Sequence, residues 1–106
     1  MSMDIGQAQL LVDDWIRNNG GYWDEMSLML RLCEETGELA REYNHRFGAK
    51  PKKGSEGEQE LAEEMGDVLF ILVCLANQQG IDLGDALNKS LDKNTTRDRG
   101  RWTGES

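Results

Sequence analysis

Apolar residues recur at helical spacing along most of the chain. In the first segment, Ile5, Ala8 and Val12 are separated by steps of three and four residues, which predicts an amphipathic helix over about residues 3–17. An Asn-Asn-Gly-Gly sequence at 18–21 ends this helix, because both residue types readily adopt the left-handed conformation found at helix C-termini.

The same spacing predicts three further helices, over about 24–47, 55–79 and 82–94. Each begins at a residue that can cap a helix N-terminus, namely Asp24, Ser55 or Asp82. Ser55 is followed by Glu58 at the spacing of a capping box, which strengthens the predicted start of the third helix. The segment 48–57, which contains the only proline of the chain, is predicted to be a loop.

The third predicted helix changes character halfway along its length. Residues 56–67 are strongly acidic, whereas residues 68–76 are apolar on every face of the helix. A helix that is apolar all round has to be covered on all sides, and three companion helices barely suffice for that. The sequence therefore predicts an all-α fold, a four-helix bundle-like architecture that is oligomeric.

Length and charge narrow the classes of protein to which this chain can belong. A chain of 106 residues has the length of one domain, which we divide into a helical domain over 1–94 and a polar C-terminal tail over 95–106. With 20 acidic and 12 basic residues the net charge is −8, and an acidic surface repels a nucleic-acid backbone. We therefore expect no nucleic acid among the partners.

The cysteines, the N-terminus and the longest apolar run bear on the cellular compartment. Cys33 and Cys74 form neither a disulfide framework nor a CxxC pair, so we expect two reduced, buried thiols. The N-terminus lacks the basic and apolar regions of a signal peptide. The apolar run at 68–76 is shorter than the roughly 20 residues that a membrane span needs. We expect a cytoplasmic protein with no membrane partner.

A short pattern of acids, Glu-Glu-x-Gly-acid-apolar, occurs once in the second helix and once in the third. Residues three positions apart share a helix face, so Glu35 lies beside Glu38 and Glu64 lies beside Asp67. If the two helices pack antiparallel, the two pairs of carboxylates face each other. The glycine in each pattern removes a side chain and would let the two backbones approach closely.

Four converging carboxylates in an apolar setting need a counter-charge. A set of oxygen ligands without His or Cys suits Mg²⁺, with Mn²⁺ as a substitute, rather than Zn²⁺. Magnesium sites of this kind bind substrate phosphates, so the chemistry that we favour is hydrolysis of a phosphoanhydride.

Two other interpretations of these acids stay open. They can form a solvated helix face, paired at i,i+4 spacing with Arg31, Arg41 or a similar residue. They can also be compared with a di-iron carboxylate bundle, which needs a Glu-x-x-His on each of two helices. Glu42 and His45 supply one such motif, but His45 is the only histidine of the chain, and we expect it at the surface or at a helix end.

The acids also carry a resemblance to a known family. Glu34-Glu35-x-x-Glu38, then 25 residues, then Glu64-x-x-Asp67, resembles the signature of the MazG-like nucleotide pyrophosphohydrolases, in particular their short single-domain bacterial type. The likeness extends over nearly the whole chain, with further matching segments at 39–42, 44–46, 50–53, 66–70, 74–77, 96–98 and 101–103.

The resemblance implies an all-α oligomer, a dimer or tetramer, that cleaves a nucleoside triphosphate between its α and β phosphates in the presence of Mg²⁺. It implies that four acids hold the metal: Glu35, Glu38, Glu64 and Asp67. It further implies that Glu34 takes the proton of the attacking water. By the same likeness, Lys93, Asn94 and Arg97 near the end of the fourth helix contact the nucleotide.

Residues outside the signature are further candidates for nucleotide contacts. Lys53 lies with two other lysines in the loop at 48–57 and can close over phosphates. Asn77 can hydrogen-bond a base or sugar. Aromatic side chains can stack on a base, and Trp15, Tyr22 and Trp23 are the candidates. We nevertheless expect Trp15 to pack in the core, because it lies on the apolar stripe of the first helix.

Three functions are compatible with these features. The first is a Mg²⁺-dependent nucleoside triphosphate pyrophosphohydrolase that serves house-cleaning or control of nucleotide pools. The second is a non-catalytic helical interaction module whose acids form a structural cation site. The third is a helper subunit that binds phosphorylated ligands for a larger complex.

Overall fold

A computed structural model describes residues 2–48 and 58–96 of the chain. Within these ranges the chain forms four helices and no strand, which confirms the predicted all-α class. The helices are α1 (Ile5–Asn18), α2 (Glu25–Phe47), α3 (Glu58–Gln79) and α4 (Leu83–Thr96). None of the described helices is both long and apolar enough to cross a lipid bilayer.

The starts of the helices follow from side-chain caps. At α1, Asp4 Oδ1 accepts a hydrogen bond from Gln7 N at 2.8 Å, and the Gln7 side chain accepts one from Asp4 N at 3.0 Å. This capping box places the first helical residue two positions later than predicted. At α2, Asp24 accepts from the backbone of Ser27 at 3.1 Å, which confirms the predicted cap.

The turn between α3 and α4 is a compact Schellman motif. Gly80 adopts a φ of 69°, its N–H donates to Asn77 O at 3.2 Å, and the N–H of Ile81 donates to Ala76 O at 2.8 Å. Asp82 Oδ1 then accepts from Asp85 N at 2.9 Å and begins the next helix, as predicted. The end of α3 and the start of α4 are therefore both set by local sequence.

Replacing Gly80 by Ala should destabilise the protein by about 1–2 kcal/mol, because an L side chain is strained at this positive φ. The measurement is the free energy of unfolding in urea. Gly6→Ala is the matched control, since Gly6 lies in a helical turn with negative φ. A loss of stability in the control as large as that in Gly80→Ala would contradict the explanation.

Two predicted boundaries differ from the structure or lie outside it. Helix α4 continues to Thr96, two residues beyond its predicted end and into the segment assigned to the polar tail. The capping residue Ser55 and the tail from residue 97 onward lie outside the described residues.

Helix packing is dominated by one antiparallel pair. Helices α2 and α3 make the most extensive contact, α1 packs on α3, and α4 packs on α1. The buried apolar core is small: Leu28 comes from α2, and Val73, Cys74 and Ala76 come from α3. This pairing brings the two acidic segments of the sequence to one interface.

A cluster of hydrogen bonds joins α1 to the turn between α3 and α4. Gln9 Nε2 donates to Asn77 Oδ1 at 3.0 Å and to Ile81 O at 2.9 Å, while Gln9 Oε1 accepts from Leu83 N at 2.9 Å. The Asn77 amide returns a bond to the Gln9 carbonyl at 2.9 Å. We call this group of hydrogen bonds the Gln9 clasp. It fixes the position of α1 over the α2–α3 pair.

A single chain leaves part of its apolar surface uncovered. On α3, the side chains of Met65, Leu69 and Leu72 follow one another at helical spacing and are 44%, 47% and 41% exposed. The predicted complete burial of the apolar half of α3 is therefore not achieved within one chain. The prediction that Cys33 is buried is wrong for a single chain, since Cys33 lies on an uncovered face of α2, whereas Cys74 is buried.

Candidate metal centre and adjoining pocket

The α2–α3 interface brings three of the predicted metal ligands together. Carboxylate oxygens of Glu35, Glu64 and Asp67 all lie within 4.8 Å of one another. Glu35 lies on α2 and is buried, while Glu64 and Asp67 lie one turn apart on α3. Helical periodicity explains the grouping, because the i,i+3 spacing places both α3 acids on the face that meets α2.

The other two predicted acids lie at the edge of this group. Glu38, one turn beyond Glu35, is exposed, and its negative charge is a cause of the raised pKa of Glu64, so it lies near the cluster. Glu34 is exposed on α2 and lies outside the three-carboxylate group. The metal-binding role of Glu38 and the catalytic role of Glu34 stay predictions.

The concentration of negative charge in the cluster favours binding of a cation. Burial first, and then the charges of Glu38, Asp67, Glu35 and Glu42, raise the pKa of Glu64. The Oε2 atom of Glu64 is buried and has no hydrogen-bond partner among the described residues. A divalent cation would satisfy this oxygen and neutralise the converging charges, and the all-oxygen ligand set fits a hard cation such as Mg²⁺ or Mn²⁺.

Glu42 also lies near the cluster, although the sequence did not lead us to assign it to the site. Its charge is a cause of the raised pKa of Glu64. The signal was present in the sequence, because Glu42 follows Glu38 by four residues and Glu35 by seven and so shares their face of α2. Glu42 is also near His45, whose Nδ1 lies 4.0 Å from Glu42 Oε1 in the last turn of α2.

The basic side chain of Arg31 reaches the cluster. Arg31 Nε donates to Glu35 Oε1 at 3.0 Å across one turn of α2. This is the i,i+4 pairing of the solvated-face interpretation, but Glu35 is buried rather than solvated. The predicted close approach of the backbones at the motif glycines does not occur among the described residues, since a Cβ added at Gly37 or Gly66 would meet none of their atoms within 4 Å.

A pocket of about 410 Å³ opens next to the carboxylates. It lies between α1, the α1–α2 loop, α2 and α3, and Glu35 and Asp67 form part of its wall. Four aromatic side chains also line it, and they are Trp15, Tyr22, Trp23 and Phe70. The size suits a small molecule with a flat apolar part and a charged part that meets the acids.

The aromatic side chains are held in defined positions. The rings of Trp15 and Phe70 meet edge to face, with centroids 5.9 Å apart. Trp15 is 55% exposed, so it lines the pocket and is not a core residue within one chain. The Tyr22 hydroxyl donates to Asp13 Oδ1 at 2.6 Å, and Arg17 Nε donates to Asp13 Oδ2 at 2.9 Å.

These two hydrogen bonds predict how acid affects stability. The bond from Tyr22, and then that from Arg17, hold the pKa of Asp13 below its ordinary value of 3.8. Because the pKa is lower in the folded state, the Asp13 carboxylate contributes stability above the ordinary value. That contribution is lost as the pH falls through the lowered value.

We expect Tyr22→Phe to reduce the acid-induced fall in melting temperature between about pH 5 and pH 2.5. The measurement is thermal unfolding followed by circular dichroism across this range. Asp13→Asn, which removes the titrating group, should show the smaller fall as well. Parallel curves for wild type and both variants would contradict the assigned cause.

Within the part of the chain that the structure describes, none of the predicted substrate-binding residues lines this pocket. The Asn77 amide is hydrogen-bonded within the Gln9 clasp. Lys93 and Asn94 lie near the end of α4, which packs on α1, and neither is among the described residues that line the pocket. Lys53 and Arg97 lie outside the described residues. The roles of all five stay predictions.

Comparison with known proteins shows the family of the chain. The model of the MazG nucleotide pyrophosphohydrolase domain matches residues 24–102 of the chain. Two proteins of Bacillus subtilis (strain 168) are similar in sequence. YpjD is 54% identical over 83 residues, which are 78% of this chain and 75% of YpjD. YvdC is 33% identical over 104 residues, which are 90% of this chain and 96% of YvdC.

Two crystal structures share the fold. That of Bacillus subtilis YpjD superposes with a TM-score of 0.83 at 45% identity, over 91% of this chain and 99% of that one. That of the Bacillus-conserved MazG protein, a nucleotide pyrophosphohydrolase, superposes with a TM-score of 0.78 at 40% identity, over 91% of this chain and 94% of that one.

Proposed function

Because the chain belongs to the MazG nucleotide pyrophosphohydrolase family, we propose that it cleaves nucleoside triphosphates between the α and β phosphates, with Mg²⁺ as its cofactor. The chain is a hydrolase acting on phosphoanhydrides. The observation that carries the finer proposal is the convergence of Glu35, Glu64 and Asp67 beside an aromatic pocket. The products are a nucleoside monophosphate and pyrophosphate.

The two sides of the pocket are suited to different parts of the substrate. The base and sugar lie against aromatic side chains such as Trp15 and Trp23, whose faces can stack on a base. The phosphates lie toward Glu35 and Asp67, where a divalent cation neutralises their charge and polarises a phosphoryl oxygen when it is bound. The site thus positions one end of the substrate by stacking and the other by charge.

The reaction adds one water molecule across the phosphoanhydride. The water oxygen bonds to phosphorus, the bridging bond between the α and β phosphates breaks, and pyrophosphate leaves. We assign Glu34 to take the proton of the attacking water, since it is adjacent to the ligand Glu35 and exposed to solvent. Glu38 completes the metal ligands, supported by its electrostatic effect on Glu64.

We further propose that the protein works as a homo-oligomer, a dimer or tetramer, in the cytoplasm. The support is the exposed apolar stripe of Met65, Leu69 and Leu72, which a second copy would cover. Sedimentation velocity over a range of protein concentrations tests this point, and a monomer at all concentrations would contradict it. The cellular role that fits the reaction is house-cleaning or control of nucleotide pools.

Release of pyrophosphate from a panel of ribo- and deoxyribonucleoside triphosphates tests the proposed reaction. Each substrate is assayed with Mg²⁺, with Mn²⁺ and with chelator, and the nucleoside product is identified by chromatography. We expect chelator-sensitive release of pyrophosphate together with a monophosphate, and the ranking of substrates names the preferred base and sugar. Release of orthophosphate and a diphosphate would contradict the assigned bond.

Absence of activity on every triphosphate of the panel would also distinguish between the candidate functions. If the folded protein binds Mg²⁺ yet converts no triphosphate, the proposed reaction is wrong for ordinary nucleotides. The non-catalytic module with a structural cation site would then be favoured. Co-purification of a stable protein partner would instead favour the helper subunit.

A further inference from the structure

The ion pair of Arg31 and Glu35 joins the acidic cluster to the pocket. Arg31 Nε donates to Glu35 Oε1 at 3.0 Å, and both residues line the 410 Å³ cavity. The two side chains differ in conformational freedom, because that of Arg31 is 45% exposed and that of Glu35 is 11% exposed. Arg31 can therefore change its rotamer into the pocket without disturbing the packing of Glu35.

The charge of the pocket makes this residue unusual. Among the described residues that line the cavity, Arg31 alone is basic, while Glu35 and Asp67 are acidic. A polyphosphate that enters such a cavity needs positive charge from the protein as well as from a cation. A guanidinium matches two phosphate oxygens at once, which makes Arg suited to this contact.

A cation bound to the cluster would also weaken the ion pair between Glu35 and Arg31. The oxygen that accepts the hydrogen bond from Arg31 belongs to a residue whose carboxylate is one of the three converging groups. A divalent ion held by Glu35 would repel the guanidinium and compete with it for the same carboxylate. The displaced guanidinium remains at the pocket wall, since its backbone is fixed in α2.

We propose that Arg31 is an exchangeable counter-cation. It pairs with Glu35 until a divalent cation binds there, and then turns to hold phosphate oxygens of the substrate in the pocket. The inference deepens the proposed function and rests on it, because it assigns a phosphate ligand to that same site. It couples metal binding to phosphate binding through a single side chain.

The test compares Arg31→Met and Arg31→Lys with wild type in two calorimetric titrations of the full chain. The first titrates Mn²⁺ alone. Loss of the competing positive charge should make Arg31→Met bind Mn²⁺ more tightly, by at least about threefold. The second titrates preformed Mn²⁺–pyrophosphate, which Arg31→Met should bind at least about tenfold more weakly. Arg31→Lys should keep the wild-type Mn²⁺ affinity and recover part of the pyrophosphate affinity.

Arg17→Met is the matched control. Arg17 makes the same i,i+4 ion pair with an acid, Asp13, at 2.9 Å, but it is not among the described residues that line the cavity. Both affinities should stay within about twofold of wild type in this variant. Circular dichroism establishes that each variant is folded before it is titrated.

The exchange is identified by opposite changes in the two affinities of Arg31→Met, which should bind Mn²⁺ more tightly and Mn²⁺–pyrophosphate more weakly. Weaker binding of Mn²⁺ by Arg31→Met would mean that Arg31 only orients Glu35 and would overturn the proposal. Unchanged affinity for Mn²⁺–pyrophosphate would exclude the phosphate contact and overturn it equally. Because neither titration requires turnover, opposite shifts in a protein that hydrolyses no triphosphate would reject the proposed reaction and leave the exchange intact.

Discussion

Replacing Asp67 by Asn should lower kcat/KM for the preferred triphosphate on the order of a thousandfold while the protein stays folded. The amide has nearly the same shape as the carboxylate, but it carries no charge and is a poorer ligand for a divalent cation. Asp67 belongs to the group of carboxylates within 4.8 Å of one another, and it also lines the pocket. Its loss therefore affects both the cation and the position of the phosphates.

The measurement is steady-state release of pyrophosphate, with circular dichroism as the check on folding. Asp14→Asn is the matched control, because Asp14 is an exposed acid of α1 and lies outside the carboxylate cluster. It should retain nearly full activity. If Asp67→Asn keeps more than about a tenth of the wild-type activity, the metal centre has been assigned to the wrong residues.

Chelation of divalent cations should abolish turnover and also lower the melting temperature at neutral pH. Without a cation, Glu64 must ionise close to Glu38, Asp67 and Glu35, and its burial and those charges raise its pKa. A carboxyl whose pKa is raised on folding binds its proton more tightly in the folded state. Stability in chelator should therefore fall as the pH rises from the ordinary glutamate value through the raised one.

Glu64→Gln separates the two effects of the cation. The amide removes the charge that repels its neighbours, so the variant in chelator should melt at a higher temperature than wild type at pH 7. Its melting temperature should respond less to Mg²⁺, and its activity should be lost. Thermal unfolding at pH 5 and pH 7, with Mg²⁺ and with chelator, makes the comparison. A variant that melts below wild type in chelator would show that Glu64 stabilises the fold through its charge.

The convergence of the three carboxylates could be predicted largely because it depends on the spacing of residues within single helices. Within a helix, the period of the backbone decides that Glu64 and Asp67 share a face, and the repeated motif indicates that the partner face carries Glu35. The Schellman turn at Gly80 and the caps at Asp24 and Asp82 are equally local, and each lies where the sequence predicts.

The pocket could not be derived in the same way. Its wall combines Trp15 of α1 with Trp23 of a loop and Phe70 of α3, and their meeting depends on how α1 lies over the helix pair. Helical spacing places Trp15 on an apolar face but does not say whether that face meets a core or a cavity. The prediction that Cys33 is buried failed for a related reason, since an apolar segment does not identify which of its faces a neighbouring helix covers.

The Gln9 clasp has a consequence for synthesis of the protein on the ribosome. Its hydrogen bonds join residue 9 to partners 68, 72 and 74 positions later in the chain. Helix α1 is translated before the helices on which it docks, so these bonds must wait until residues 77–83 have been made. The three converging carboxylates all precede residue 77 in the chain, whereas the docking of Trp15 at the pocket wall depends on α1. A nascent chain can therefore bring its carboxylates together before it completes the pocket beside them.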